Sequence, residues 1–526
     1  MECDVLVIGG GATGLGVVRD AAMRGFRSVL VERVDLGQGT TGRFHGLLHS
    51  GGRYVVSDPR SATECAEENA VLRRVAAGAI EDTGGFFVTT PADDPEYADR
   101  FLAGCAEAGV PAQEIPPAEA LSREPRLNPG ISRAFEVQDG AVDAWKLLWG
   151  NAASARAYGA TILTYHWVTG ILRDGDRVTG AVARDDRGGG DVWIEAGFTV
   201  NASGVWAGEI ADLADCPGVT VVPGKGIMIA MNHRLVSTVV NRCEHPADGD
   251  ILVPIRTVCV IGTTDSKADT ADDLGIPRGE VQEMLDAGEI LVPGFRKARA
   301  LHAWSGSRPL FKDERAGTEE GGGDTRTMSR GLALVDHMRR DGVGGFLTIT
   351  GGKLTTYRLM AETVVDAMCE QLGEERPCRT AEEALPGSED GGTYWLGSRL
   401  AAREQDMAAD QIVCECELLP RRALVEVAEQ RAGLNLDDVR RTLRLGMGPC
   451  QGGFCTYRAA GILHGLGHAD AQRADELVLM FLQHRWQGLE PILYGDQVRQ
   501  AVLDDWIFQG ILDVEHLPAA LPSRPV

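Results

Sequence analysis

Long apolar runs are missing from this sequence. No stretch of about 18 uninterrupted apolar residues occurs, so no membrane-spanning helix is expected. The first residues enter an apolar strand-like run directly, without the basic and then apolar layout of a secretion signal. Both absences point to a cytoplasmic protein, peripheral to a membrane at most. Lysine is scarce, at six of the 52 basic residues, the rest being arginine. Acidic residues outnumber basic ones by 76 to 52, and the net charge of −24 is spread along the chain without an acidic tail. So acidic a surface argues against nucleic acid as a partner. It also suits a cytoplasm of high salt, where screening is strong. Cysteine is plentiful at twelve, but no C-x-x-C occurs, which removes the commonest thiol-redox motif and the zinc knuckle. Disulfides are not expected without secretion. Eight cysteines (Cys3, Cys65, Cys105, Cys216, Cys243, Cys259, Cys369, Cys378) are scattered, most among apolar neighbours, and read as small core fillers.

At 526 residues the chain has room for two or three domains. It is organised around its first thirty residues. The run Asp4-Val5-Leu6-Val7-Ile8 ends in glycines, passes into helical spacing (Leu15, Val18, Ala21, Ala22) and returns to an apolar run closing on Glu32. This reads as strand, tight turn, helix, strand. Gly9, Gly11 and Gly14 fit G-x-G-x-x-G: a tight turn, close backbone approach to a pyrophosphate, and close helix–strand packing. The N–H groups of Ala12 and Thr13 open a helix whose positive dipole end faces that pyrophosphate. Glu32 is placed to accept from a ribose 2′-hydroxyl and to repel a 2′-phosphate, so NADP is disfavoured.

Next comes Gly37-Gln38-Gly39-Thr40-Thr41-Gly42-Arg43-Phe44-His45-Gly46-Leu47-Leu48-His49-Ser50-Gly51-Gly52-Arg53-Tyr54. Such a mixture of glycines, hydroxyls and histidines reads as a backbone-rich wall against a flat ligand. The wording T-G-R-x-H-G-L-L-H-S-G-x-R-Y resembles the flavin-contacting stretch of the glycerol-3-phosphate dehydrogenases, within the D-amino-acid-oxidase-like group of FAD enzymes, and above all that of the anaerobic A-subunit family. L-2-hydroxyglutarate oxidases carry a related stretch with a histidine at the position of His49, so this segment alone leaves the substrate open.

The resemblance continues in order. Residues 64–79 and 98–108 have helical periodicity, and Asp143 is placed to cap a helix running to Tyr158. Strand-like runs at 160–165 and 178–183 suggest an antiparallel meander. Asn201-Ala202-Ser203-Gly204-Val205-Trp206 resembles the group's second dinucleotide-contacting segment. Strand-like runs at 251–254 and 258–265 resemble the sheet that roofs the substrate pocket. Gly306-Ser307-Arg308-Pro309-Leu310 resembles the segment that places a substrate arginine over the flavin, and Arg330 matches a second such position. Gly351-Gly352-Lys353-Leu354-Thr355 reads as a strand end and helix start, expected to run to about Leu372. A helix N-terminus there stabilises the negative charge that reduction puts on the flavin. A phosphorylated substrate must overcome the repulsion of an acidic protein, and Arg53, Arg308, Arg330, Lys353 and Arg358 form a candidate cluster for it.

Residues 374–410 change to Pro, Gly and charged residues and read as a linker. Beyond them stand Cys414 and Cys416, then Cys450 and Cys455: C-x-C, 33 residues, C-x₄-C. Zinc wants C-x₂-C at both ends, whereas four thiolates in two pairs suit an iron–sulfur cluster. The layout resembles the helical [2Fe–2S] module of bacterioferritin-associated ferredoxin. The tail is helical over 477–486, then aromatic and apolar, and is free to dock on the body or to meet a partner or membrane.

The expected fold is α/β: a Rossmann-like FAD-binding part (about 1–80, 140–215, 328–373) interleaved with an antiparallel-sheet substrate part (about 81–139, 216–327). A linker (374–410), a small α-helical iron–sulfur domain (411–468) and a helical tail (469–526) follow. The resemblance implies oxidation of sn-glycerol 3-phosphate to dihydroxyacetone phosphate, with electrons leaving through [2Fe–2S] to partner B and C subunits and quinone, on the inner face of the cell membrane. For FAD contact it implies Gly9, Gly11, Ala12, Thr13, Gly14, Glu32, Thr40, Thr41, Gly42, His45, Gly46, Leu47, Ala202, Gly204, Gly351, Gly352, Lys353, Leu354 and Thr355. Substrate falls to Arg53, Tyr54, Arg308, Arg330 and Lys353. His49 is the first choice of base and His45 the second, with Arg308 beside the reacting centre. Two alternatives stand: a 2-hydroxy-acid dehydrogenase of the same FAD group, and a non-catalytic electron-transfer protein.

Overall fold

The computed structural model describes residues 1–312, 331–406, 410–431 and 433–516. Arg330 therefore lies outside the described residues. An eight-stranded sheet is centred on Glu2–Ile8, which pairs in parallel with Ser28–Val31 on one side and Gly190–Asn201 on the other. Covered on both faces, the central strand is apolar almost throughout (Val5, Leu6, Val7 and Ile8 are buried) rather than alternating. Helix Ala12–Met23 lies against it and packs on helices Ala144–Ala157 and Tyr357–Leu372. Gly16 permits the second contact, because a Cβ there would meet Ala361 at 3.0 Å.

The meander in this sheet is built by His166–Asp174, Arg177–Asp185 and Gly190–Asn201. The expected strand at 160–165 does not join it. Thr161–Leu163 pairs in parallel with Ser28–Val31 as the sheet's edge, and Tyr165, at φ 61°, turns the chain between the two roles.

A second sheet of nine strands is mostly antiparallel. Its spine is the pairing of Thr220–Met231 with Ala300–Lys312, carried from Thr220 opposite Lys312 to Ile229 opposite Ala303. One face of this sheet closes on helix Arg278–Leu291 through Ile227, Ile229, Met284, Leu285 and Phe295.

Residues 374–395, compositionally a linker, are strapped to the first sheet's body. Leu385 N donates to Val75 O, Tyr394 N to Ile80 O, and the buried Arg19 donates to Glu383 O. Leu385 enters that body's core, which is why a Pro- and Gly-rich stretch is held in place. Helix Leu396–Asp406 follows.

Helices Arg421–Gln430, Leu436–Leu443, Cys455–Gly465 and Ala471–Leu489 surround a separate core of Leu424, Val439, Leu463 and Phe481. The tail docks twice: Leu489 and Ile492 join the second sheet's core, and Phe508 and Val514 join that of the cysteine-bearing helices. No helix among the described residues is long and apolar enough to cross a membrane.

Candidate active site

The glycine turn sets the site. Gly9 sits at φ +112°, and a Cβ there would lie 2.6 Å from Ala202 O, so only glycine brings the two dinucleotide-facing segments together. Gly14 serves packing instead: its Cβ would strike Gly9 O at 1.9 Å. Helix Ala12–Met23 starts without any side-chain cap and without an acid in its first turn. One early N–H, that of Ala12, is met by Thr41 Oγ1 at 3.1 Å, and the open end is suited to an anion.

From this turn a cavity of ≈ 320 Å³ runs between the two sheets. Gly9, Gly11, Ala12, Thr13, Glu32, Thr40, Thr41, His45, Leu47, His49, Tyr54, Ala202, Gly204, Arg308, Gly351, Gly352, Lys353 and Leu354 all line it. Five residues of the sequence expectation stand off its wall. Gly14 is under the turn, and Gly42 and Gly46 are pressed against Trp145 and Ile255. Thr355 Oγ1 accepts from His49 N at 3.2 Å, and Arg53 is held behind the wall by Asp250 at 2.7 Å. Arg358 is elsewhere altogether, paired with Glu68 and Glu362 in the interior at 2.5 and 2.6 Å.

Glu32 is half-buried, and its carboxylate accepts from Gly10 N (2.6 Å) and Val34 N (3.0 Å), which fixes its orientation. Burial raises its pKa, partly offset by those two N–H groups. Arg33 lies over Trp206 at 4.7 Å and near Trp167 at 5.7 Å, a cationic–aromatic stack beside Glu32. Trp206 belongs to the Asn201 segment, but nothing in its spacing pairs it with Arg33.

The other candidate side chains form a row. His45 and His49 have ring centroids 6.0 Å apart, His49 and Tyr54 5.4 Å, and Lys353 Nζ lies 4.7 Å from the Tyr54 ring. His45 Nδ1 accepts from Leu47 N at 3.2 Å, so in the neutral ring the proton sits on Nε2. Burial, then Arg53 and Arg308, push the His45 pKa down to about 3. Arg308 donates to Asp265 (2.7 Å), Thr264 O (2.8 Å) and Thr263 Oγ1 (3.1 Å), so its guanidinium is fixed and half-neutralised before any ligand arrives. Asp250 and Asp265, the partners that hold the two arginines, were not singled out in the sequence; ion-pair partners far apart in the chain have no spacing signature.

Cys414 at the end of strand Ile412–Cys414, Cys416 and Cys450 in turns, and Cys455 at the start of helix Cys455–Gly465 come together. Cys414 contacts Cys455, and Cys450 contacts both Cys416 and Cys455. Backbone N–H groups of Gly446 and Glu417 reach the Cys414 sulfur, and those of Gly452 and Phe454 reach Cys450. The neighbouring thiols of Cys416 and Cys455, then these backbone donors, hold Cys450 below an ordinary thiol. Gly448 lets the loop close, since a Cβ there would meet Cys416 Cβ at 2.3 Å.

The uncapped helix, the glycine cradle and the long cavity between a parallel and an antiparallel sheet define a dinucleotide-dependent oxidoreductase. Residues 4–358 match the family model of the FAD dependent oxidoreductases. The chain is 42% identical over 533 residues to the A subunit of the anaerobic glycerol-3-phosphate dehydrogenase of Escherichia coli K12, covering 97% of each chain. It is likewise 42% identical to the A1 subunit of that enzyme from Haloferax volcanii, over 98% of this chain and 92% of that one. A crystal structure of glycerol-3-phosphate dehydrogenase from Bacillus halodurans complexed with FAD shares the fold, with a TM-score of 0.58, 22% identity, and coverage of 98% of this chain and 94% of that one. The chain belongs to the FAD-dependent oxidoreductases and, within them, to the A-subunit family of the anaerobic glycerol-3-phosphate dehydrogenases.

Proposed function

We propose that this chain is the catalytic subunit of a respiratory, quinone-linked sn-glycerol-3-phosphate dehydrogenase. The observation that carries the reading is the row His49, Tyr54, Lys353 and Arg308 in the same cavity as the glycine cradle. FAD held there, by the cradle, Glu32 and the 351–354 turn, supplies the hydride acceptor. Lys353 and Arg308 bind the substrate phosphate against the charge of an acidic protein, and Arg53 adds positive field from behind the wall. Tyr54 holds the Lys353 ammonium in place by its ring face. His49 takes the proton of the C2 hydroxyl as the C2–H bond breaks, leaving the ketone of dihydroxyacetone phosphate. Arg330, a further phosphate ligand by family resemblance, completes the set.

The domain reading remains residues 1–373 for the oxidoreductase and 411–468 for a [2Fe–2S] module, with Cys414, Cys416, Cys450 and Cys455 as ligands. The C-x-C and C-x₄-C spacing supports two irons over one zinc, which prefers C-x₂-C pairs. The four thiols are in contact as a chain, 416–450–455–414, with N–H donors aimed at sulfur. The cluster would supply a one-electron exit toward B and C subunits, which reach membrane quinone and hold this chain on the inner face.

Steady-state turnover of the FAD-loaded protein with an artificial acceptor tests the substrate. Activity on sn-glycerol 3-phosphate and little on L-2-hydroxyglutarate is expected; activity confined to the hydroxy acid defeats the reading.

A further inference from the structure

A second cavity, of ≈ 500 Å³, lies where three parts of the chain meet. The 38–46 segment of the cofactor loop forms one side, strand Ala300–Lys312 another, and the cysteine-bearing helices the third, through Arg440, Met447 and Gln451. It shares Gln38, Arg43, Phe44, Asp272 and Leu274 with the dinucleotide cavity. Its size and its place between structural units are those of a small-molecule site.

Arg43 shows what the cavity takes. Its Nε donates to Gln38 O at 2.8 Å, and among the described residues no carboxylate lies within ion-pair distance of its guanidinium. Burial, then Arg441, Arg33 and Arg440, push its pKa below the usual arginine value, against the opposing pull of the Asp272 carboxylate, which also lines the cavity. The arginines around it are compensated: Arg441 by Asp35 and Asp438, Arg444 by Glu417, Arg440 by Asp437. A half-buried guanidinium with no ion pair of its own is costly, and here it lines open volume. In the same wall the Trp304 Nε1 and His302 Nδ1 atoms are buried without partners, and an indole N–H can only donate. Trp145 and Trp304 line it, as do the apolar Val258 and Val260.

We propose that this cavity binds an organic oxyanion with a flat apolar body, its carboxylate or phosphate against Arg43 and its body between the two tryptophans. Such an occupant touches both the cofactor loop and the loop that carries Cys450.

The test is calorimetric titration of the FAD-loaded, full-length protein with 2-naphthoate, 2-naphthyl phosphate and neutral 2-naphthalenemethanol, with dihydroxyacetone phosphate saturating and, as a control, absent. One naphthyl anion should bind at a single site per chain, about tenfold tighter than the alcohol. The tighter of the two anions identifies the ligand's acidic group. Arg43→Gln should weaken binding about tenfold and Trp304→Phe several-fold. Val258→Phe, which fills the cavity, should abolish it, and decides the matter if Arg43→Gln fails to fold. The proposal falls if no naphthyl anion binds, leaving a solvated gap. It also falls if an anion that binds without product no longer binds once product saturates, or if all three variants bind it unchanged. None of these readouts depends on turnover.

Discussion

At the scale of single residues, two histidines 6.0 Å apart have different chemistry because of what surrounds them. His45 is neutral at any pH the cell reaches, and its Nδ1 is already taken by Leu47 N, so it can offer a proton but accepts one poorly. His49 is anchored through its backbone, to Thr355 and Asn69, and lines the cavity beside Tyr54. His49→Asn should therefore lower kcat about 10²- to 10⁴-fold and remove the acidic limb of the kcat profile, while His45→Asn should keep that limb. A pH–rate series on both variants checks this; equal profiles contradict the assignment. Burial gives a second consequence. His45 and His302 are both pushed down to about 3, so they favour the folded state above pH 6.5 and lose that contribution as the pH falls toward 3. The loss is about 2 kcal/mol per histidine by pH 5. Thermal unfolding at pH 7 and 5 should show a smaller acid shift in His302→Gln than in the parent.

At the scale of elements, the loop after Ser28–Val31 does two jobs. Residues 33, 34 and 38–41 line the dinucleotide cavity, while Asp35, between them, is fully buried against Arg431 (2.6 Å) and Arg441 (3.3 Å) of the cysteine-bearing helices. Arg441 also holds Asp438, which accepts from Tyr165 Oη. Removing one partner from such a network costs about 3–5 kcal/mol. Cofactor seating and docking of these helices are therefore linked, and reciprocally so. Asp35→Asn should weaken FAD binding about tenfold and speed amide exchange over 433–443; unchanged FAD affinity contradicts the linkage. The glycine turn was legible in the sequence because its strand, turn and helix are local, confined to the first thirty residues. Asp35 was not, because its partners lie 396 and 406 residues away. At Gly42 and Gly46 the sequence signalled a close approach without saying of what, and the structure brings Trp145 and Ile255 against them.

At the scale of the whole molecule, the order of family-like segments was enough to foresee an α/β body with an antiparallel sheet. It was not enough to foresee the strap at 374–395, whose Pro and Gly content describes its local freedom and not the Leu385 anchor. Nor did the tail's amphipathic spacing reveal that Ile492 and Phe508 enter two different cores. Those cores tie the cysteine-bearing helices to the second sheet, so the dinucleotide cavity and the four-cysteine cluster belong to one body. The central claim, that substrate electrons enter at the flavin and reach the cysteine site, is tested most directly by anaerobic titration of the cofactor- and cluster-loaded protein with sn-glycerol 3-phosphate. Flavin absorbance and the electron paramagnetic resonance of the cluster are followed together. The account predicts bleaching of the flavin with appearance of a reduced-cluster signal, and in Cys455→Ser the bleaching without the signal. Substrate that changes neither centre contradicts it.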